Sequence, residues 1–172
     1  MIKNLPQWVK FAMAIVAQLA IVFGLIFVSA SVLISGVEVV LPIEPVDPRD
    51  WIRGDYITVD YSISRIDKKI VGSQKFENNK TVYVSLEKQG DVWSAVAVSS
   101  KRPAGGVFIN GAVKYARYSG DLQITYGIED YFIPEGSGAD LNQQLTKKDA
   151  FARVVVDKNG NAVLKEIFFK NK

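Results

Sequence analysis

Two short stretches concentrate the residue types that could do chemistry. The first, WIRGDYITVDY, places Arg53, Gly54, Asp55 and Tyr56 in a row and adds Tyr61. The second, YGIEDYFIPEGSG, carries Tyr126, Glu129, Tyr131 and Glu135. If the chain folded so that Asp55, Glu129 and Glu135 converged, they would offer oxygen ligands to a hard cation such as Mg²⁺ or Ca²⁺. A pair of them could also act as acid and base in a hydrolysis. The chain has no cysteine and no histidine. That removes disulfides, thiolate nucleophiles, imidazole bases and Cys/His zinc sites at once. The structural reading of the same residues is stronger. Gly54 permits a tight approach at a strand start, Asp55 suits an Asx-turn, and the tyrosines are natural core aromatics. No catalytic residue, metal or cofactor is therefore assigned. EGSGAD has no P-loop lysine or spacing, so phosphate binding is not expected.

These stretches need elements to hold them. Upstream, Phe11 to Val37 contains 27 residues without a charge. At roughly 1.5 Å per residue a helix of that length reaches about 40 Å, more than the ~30 Å hydrocarbon core of a bilayer. A cleaved signal peptide would have the basic start, at Lys3 and Lys10, and small residues at Val28–Ala30. Its apolar run is typically about 7–15 residues, shorter than this one, so the reading is an uncleaved span. Two lysines precede the run, whereas Glu38, Glu44, Asp47 and Asp50 follow it. The positive-inside bias then predicts a cytoplasmic N-terminus (1–10), a transmembrane helix (11–37) and an extracytoplasmic remainder. The expected partners are the lipid bilayer, through residues 11–37, and another membrane protein. Beyond Val37 the chain carries 19 basic and 18 acidic residues, which leaves no electrostatic footprint for nucleic acid.

Prolines 42, 45 and 48 deny backbone donors and favour extended geometry, so residues 38–53 read as a Pro-rich strap into a domain at 54–172. There the pattern is β. Ile57, Val59, Tyr61 and Ile63 alternate with polar residues, as do Val82, Val84 and Leu86. KQGD at 88–91 and KNGN at 158–161 are hairpin turns. Further strands are expected at 107–117, 121–128, 151–157 and 162–169, and a short helix at 138–150. The fold class is one N-terminal transmembrane helix plus a mostly antiparallel β domain with at most one or two short helices.

GDYITVDY, Gly54 to Tyr61, resembles the signature of the GDYXXLXY membrane-protein family, with Gly54, Asp55, Tyr56 and Tyr61 matching and Val59 standing in place of the leucine. PVDPRDWIRGDY and YGIEDYFIPEGSG look like the same family. The resemblance implies membrane location and architecture, and it implies no activity. PRDWIRGDYITV is also distantly similar to membrane-anchored signal peptidases, which need a serine nucleophile shortly before the proline. Here that region reads PIEPVD, without a serine. The function expected is a non-enzymatic interaction or accessory module of an envelope membrane assembly. The alternative is a ligand-binding, cation-binding or hydrolytic domain with a carboxylate site.

Overall fold

The computed structural model describes residues 6–44, 56–72, 74–116, 120–132 and 149–170. Helix α1 runs from Gln7 to Ser35, 29 residues. It is long and apolar enough to cross a membrane. Trp8, Phe11, Phe23, Leu25 and Phe27 stand exposed around it, as expected for a helix whose solvent is hydrocarbon.

Strand β1, Val37–Glu44, begins one residue after the helix. The first part of the expected strap, 38–44, is extended as read, but as a paired strand inside a sheet; positions 45–53 lie outside the described residues. β1 pairs antiparallel with β10 (Asp149–Val156), which pairs with β11 (Ala162–Lys170). At its far end β1 pairs with the two-residue β3, Asp60–Tyr61. Pro42 is tolerated because it stands at the changeover from β10 to β3, where its carbonyl accepts the Ser62 amide at 2.9 Å.

The second sheet has the order β4-β8-β7-β5-β6. Its members are β4 (Arg65–Ile66), β5 (Thr81–Gln89), β6 (Val92–Ser99), β7 (Val107–Ala116) and β8 (Leu122–Thr125). A third, two-stranded ladder joins β2 (Tyr56–Thr58) to β9 (Asp130–Phe132). A four-residue helix, α2, covers Lys68–Val71. All pairings among the described residues are antiparallel, so the expected fold class holds. The helix expected at 138–150 falls outside the described residues except for Asp149 and Ala150, which are strand. The strand expected across 57–63 is divided: Val59, Tyr61 and Ile63 are all buried as read, but β2 and β3 pair with different partners and a turn follows.

One core cluster draws on both larger sheets. Val39, Leu41, Ala152 and Val154 come from the first, and Val82, Val84, Ile109 and Ile124 from the second. The alternation breaks at Val154, Val155 and Val156, all buried. Val155 faces away from its neighbours, and the end of α1 covers it. A Cβ built on Gly36 would lie 2.5 Å from Val155 Cγ1, 2.7 Å from the Val32 carbonyl oxygen and 2.9 Å from the Val156 carbonyl oxygen. Val32, on the last turn of α1, is buried in the same contact.

The β10–β11 turn carries its own lock. Asp157 accepts from the amides of Asn159 and Asn161 at 2.7 and 2.8 Å and from the Asn161 side chain at 2.9 Å. Gly160 has φ 84°, which favours glycine. The turn docks on β7, where the Asn110 amide donates to the Gly160 carbonyl at 2.9 Å. Burial pushes the Asp157 carboxyl up, but the bonds from Asn161 and Asn159 outweigh it and hold it below the ordinary range.

Two predictions come from these locks. Gly36 has φ −80°, which any residue adopts, so Gly36→Ala tests space alone. We expect a loss of about 1–3 kcal/mol from overpacking, read by thermal unfolding in detergent; an unchanged midpoint would mean that α1 does not seat on β10. Because the folded pKa of Asp157 is depressed, its contribution is present above the unfolded value of about 3.9 and disappears as pH falls through the folded value. Asp157→Asn should flatten the acid limb of the stability–pH curve below about pH 4, and an unaltered limb would contradict the arrangement.

Candidate functional site

The fold brings the two chemistry-bearing stretches together. In the β2–β9 ladder Tyr56 faces Phe132, Ile57 faces Tyr131 and Thr58 faces Asp130. The Val59 amide extends the ladder by donating to the Glu129 carbonyl at 2.9 Å, and Thr58 Oγ1 donates to Asp130 Oδ1 at 2.9 Å. Pairing between segments about seventy positions apart explains why both are rich in strand-compatible aromatics.

Two phenols clasp the stretches reciprocally. The Tyr61 hydroxyl donates to the Ile128 carbonyl at 2.5 Å, and the Tyr126 hydroxyl donates to the Ile63 carbonyl at 2.6 Å. Each tyrosine thus satisfies a backbone oxygen in the other's segment, with both side chains buried. Ser64, the one buried polar residue among the described residues, closes the turn. Its Oγ accepts the Tyr61 amide at 3.1 Å, its amide donates to the Tyr61 carbonyl at 2.8 Å, and its carbonyl accepts the Ile124 amide at 2.9 Å.

Glu129 is committed locally. Its carboxylate accepts the Tyr126 amide at 2.5 Å and the Gly127 amide at 2.8 Å. Gly127, at φ 77°, supplies the left-handed residue that lets the chain turn back over that carboxylate. Burial, and then the charge of Glu129, push the Tyr126 phenol up. Burial, Glu129 and Asp130, in that order, do the same to Tyr61. Both phenols are held neutral near pH 7 as donors.

Of the sequence-predicted site residues, Tyr61, Tyr126, Glu129 and Tyr131 gather around this clasp. Tyr56 joins it through its backbone. Arg53, Gly54, Asp55 and Glu135 lie outside the described residues, as does Trp51. Among the described residues no three carboxylates lie close enough to hold a metal ion. Sequence reasoning missed Thr58 and Ser64 as members of the network. The alternation marks Thr58 as outward-facing, but only the register of β2 on β9 reveals its partner. A shallow groove of about 440 Å³ flanks the clasp, lined by Thr81, Asn110, Gly111, Thr125, Tyr126 and Gly127. The Tyr126 hydroxyl, its one titratable group, is turned inward to Ile63.

The family model for the GDYXXLXY protein matches residues 18–167, from within α1 into β11. The chain belongs to the GDYXXLXY family. The match covers both paired stretches and the helix–sheet junction, so the clasp lies within the family region. No curated protein and no solved structure matches the chain.

Because both pKa values are raised, the sign is fixed. The two phenols stabilise the fold fully below the unfolded tyrosine value of about 10, and that contribution fades as pH rises above it. Of the seven tyrosines, Tyr61 and Tyr126 should resist ionisation in an ultraviolet titration until the fold opens. Tyr126→Phe should cost about 1–3 kcal/mol by leaving the Ile63 carbonyl unpaired. Ionisation of every tyrosine near pH 10 in the folded protein would contradict the clasp.

Proposed function

We propose that this protein is a single-pass membrane protein with its N-terminus in the cytoplasm. Its β domain stands outside the cytoplasm as a non-enzymatic docking module for another envelope membrane protein. The observation that carries this reading is the exposed apolar helix running directly into β1. The lysines before the span and the acids after it support the orientation.

Height supports a protein partner for the clasp. β1 rises from Val37 beside the helix to Glu44 opposite Asp60. Seven steps of about 3.3 Å make roughly 23 Å. The polar zone beyond the hydrocarbon is about 5–8 Å thick on each side of a bilayer. The Asp60 end of the clasp, at that distance along β1 from the helix, favours the extramembrane part of a neighbour over lipid. The chemistry supports docking over catalysis, since the phenols and the Glu129 carboxylate are consumed in holding the backbone.

Two experiments test this on the full-length chain, whose lack of cysteine makes single-cysteine labelling clean. Gln89→Cys, exposed at the end of β5, should react with a membrane-impermeant maleimide in intact cells; reaction only after permeabilisation would overturn the orientation. A photo-crosslinking residue at Asp130 should yield one discrete membrane-protein adduct. Adducts confined to lipid, or none, would count against a docked protein.

A further inference from the structure

The end of the domain that adjoins α1 carries a group of cations. Val37, the first residue after the helix junction, pairs with Val156. The next residue opens the β10–β11 turn, so that turn lies level with the helix end. The connection between β6 and β7 reaches the same place. Arg102 Nη2 donates to the Lys158 carbonyl at 2.7 Å, and its guanidinium lies 5.6 Å from the centre of the Phe108 ring. Lys101, Arg102 and Lys158 are all exposed there.

The acids at this end are already engaged. Asp157 is bonded within its own turn. Glu38 meets Lys165 Nζ at 3.1 Å and Arg153 Nε at 3.0 Å, the latter without the alignment of a hydrogen bond. Glu166 meets Arg153 Nη1 at 2.6 Å. Asp157 remains charged, and against it stand the three cations Lys101, Arg102 and Lys158, so the charge near the helix end is net basic. The opposite end of β11 carries Lys170, bonded to Asp91 at 2.9 Å. Eight strand steps of about 3.4 Å put that end roughly 27 Å away, beyond two Debye lengths of about 10 Å at 0.1 M salt.

We propose that this end of the domain rests on the bilayer surface, with Lys101, Arg102 and Lys158 engaging anionic phospholipid headgroups. The inference depends on α1 being a membrane span. Its occupant is argued from charge complementarity and from the single residue that separates helix from sheet. The contact would set the tilt of the domain as well as its height, since the β10–β11 turn and the 100–106 connection are tied to each other and to β7.

The test uses full-length protein in nanodiscs of phosphatidylcholine, with or without phosphatidylglycerol. A fluorophore is placed at Ser100→Cys near the cations, at Gln89→Cys at the far end, or at Leu25→Cys in the helix. Nitroxide lipids labelled on the headgroup or the acyl chain serve as quenchers. The Ser100 probe should be quenched from the headgroup more strongly when phosphatidylglycerol is present, while the Gln89 probe is not. That increment should be lost in Lys101→Gln/Lys158→Gln, and lost in the unaltered sequence at high salt. Equal quenching at Ser100 in both lipids, or an increment that survives both treatments, would overturn the headgroup contact. So would an unquenched Ser100 beside a Leu25 probe quenched from the acyl chain, which leaves the span intact. An unquenched Leu25 would instead remove the span itself.

Discussion

Ser35 ends a helix whose side chains face outward as hydrocarbon groups, and Val37 begins a strand held between two neighbours. Gly36 alone stands between them, in contact so close that one added carbon would meet two backbone carbonyls and the Val155 side chain. This junction is the constraint on which the rest depends. With no linker to absorb rotation, the direction of α1 is set by the face of β10 on which its last turn lies. Val155, which core packing alone does not explain, is buried because the helix end needs an apolar seat. A sheet entered this way has a near end and a far end, and the other features are ordered along that axis.

Beyond the junction two segments distant in sequence become one structural unit. Tyr61 and Tyr126 exchange hydroxyl bonds with each other's backbone, and Glu129 folds its own loop by accepting two amides. Of the residues that a chemist would single out, Tyr61, Tyr126 and Glu129 are thus bound up in holding the backbone. A buried neutral phenol is a good permanent donor and a poor acid–base catalyst near neutral pH. The same groups make a rigid, polar-edged surface, and rigidity lowers the ordering cost of docking to a partner.

Much of this was legible in the residues. The uncharged run announces α1, and the two-residue alternation of Val82, Val84 and Leu86 announces a half-buried strand. Asn159-Gly160 announces a hairpin turn, which the left-handed backbone of Gly160 completes. β1 was hidden because prolines remove ladder donors and so read as unpaired chain. Pro42 escapes this by standing where the strand exchanges partners. The division at Val59 was hidden for a different reason. Burial of Val59, Tyr61 and Ile63 follows from alternation, but which strand each part pairs with depends on long-range register, and local pattern carries none of it. The Tyr61–Tyr126 clasp is likewise a product of register. The residue types raise the possibility of hydrogen bonds, while the partners, two ordinary backbone carbonyls, leave no mark in the sequence.

The central claim is that α1 and the β domain form one rigid body, anchored in lipid by the helix. Distances between spin labels at Leu25→Cys in α1 and Gln89→Cys at the far end, measured by double electron–electron resonance on full-length protein in nanodiscs, test it directly. A single narrow distribution, unchanged between nanodiscs of different lipid composition, is the predicted result. A broad distribution, such as a flexible joint at Gly36 would give, would contradict it.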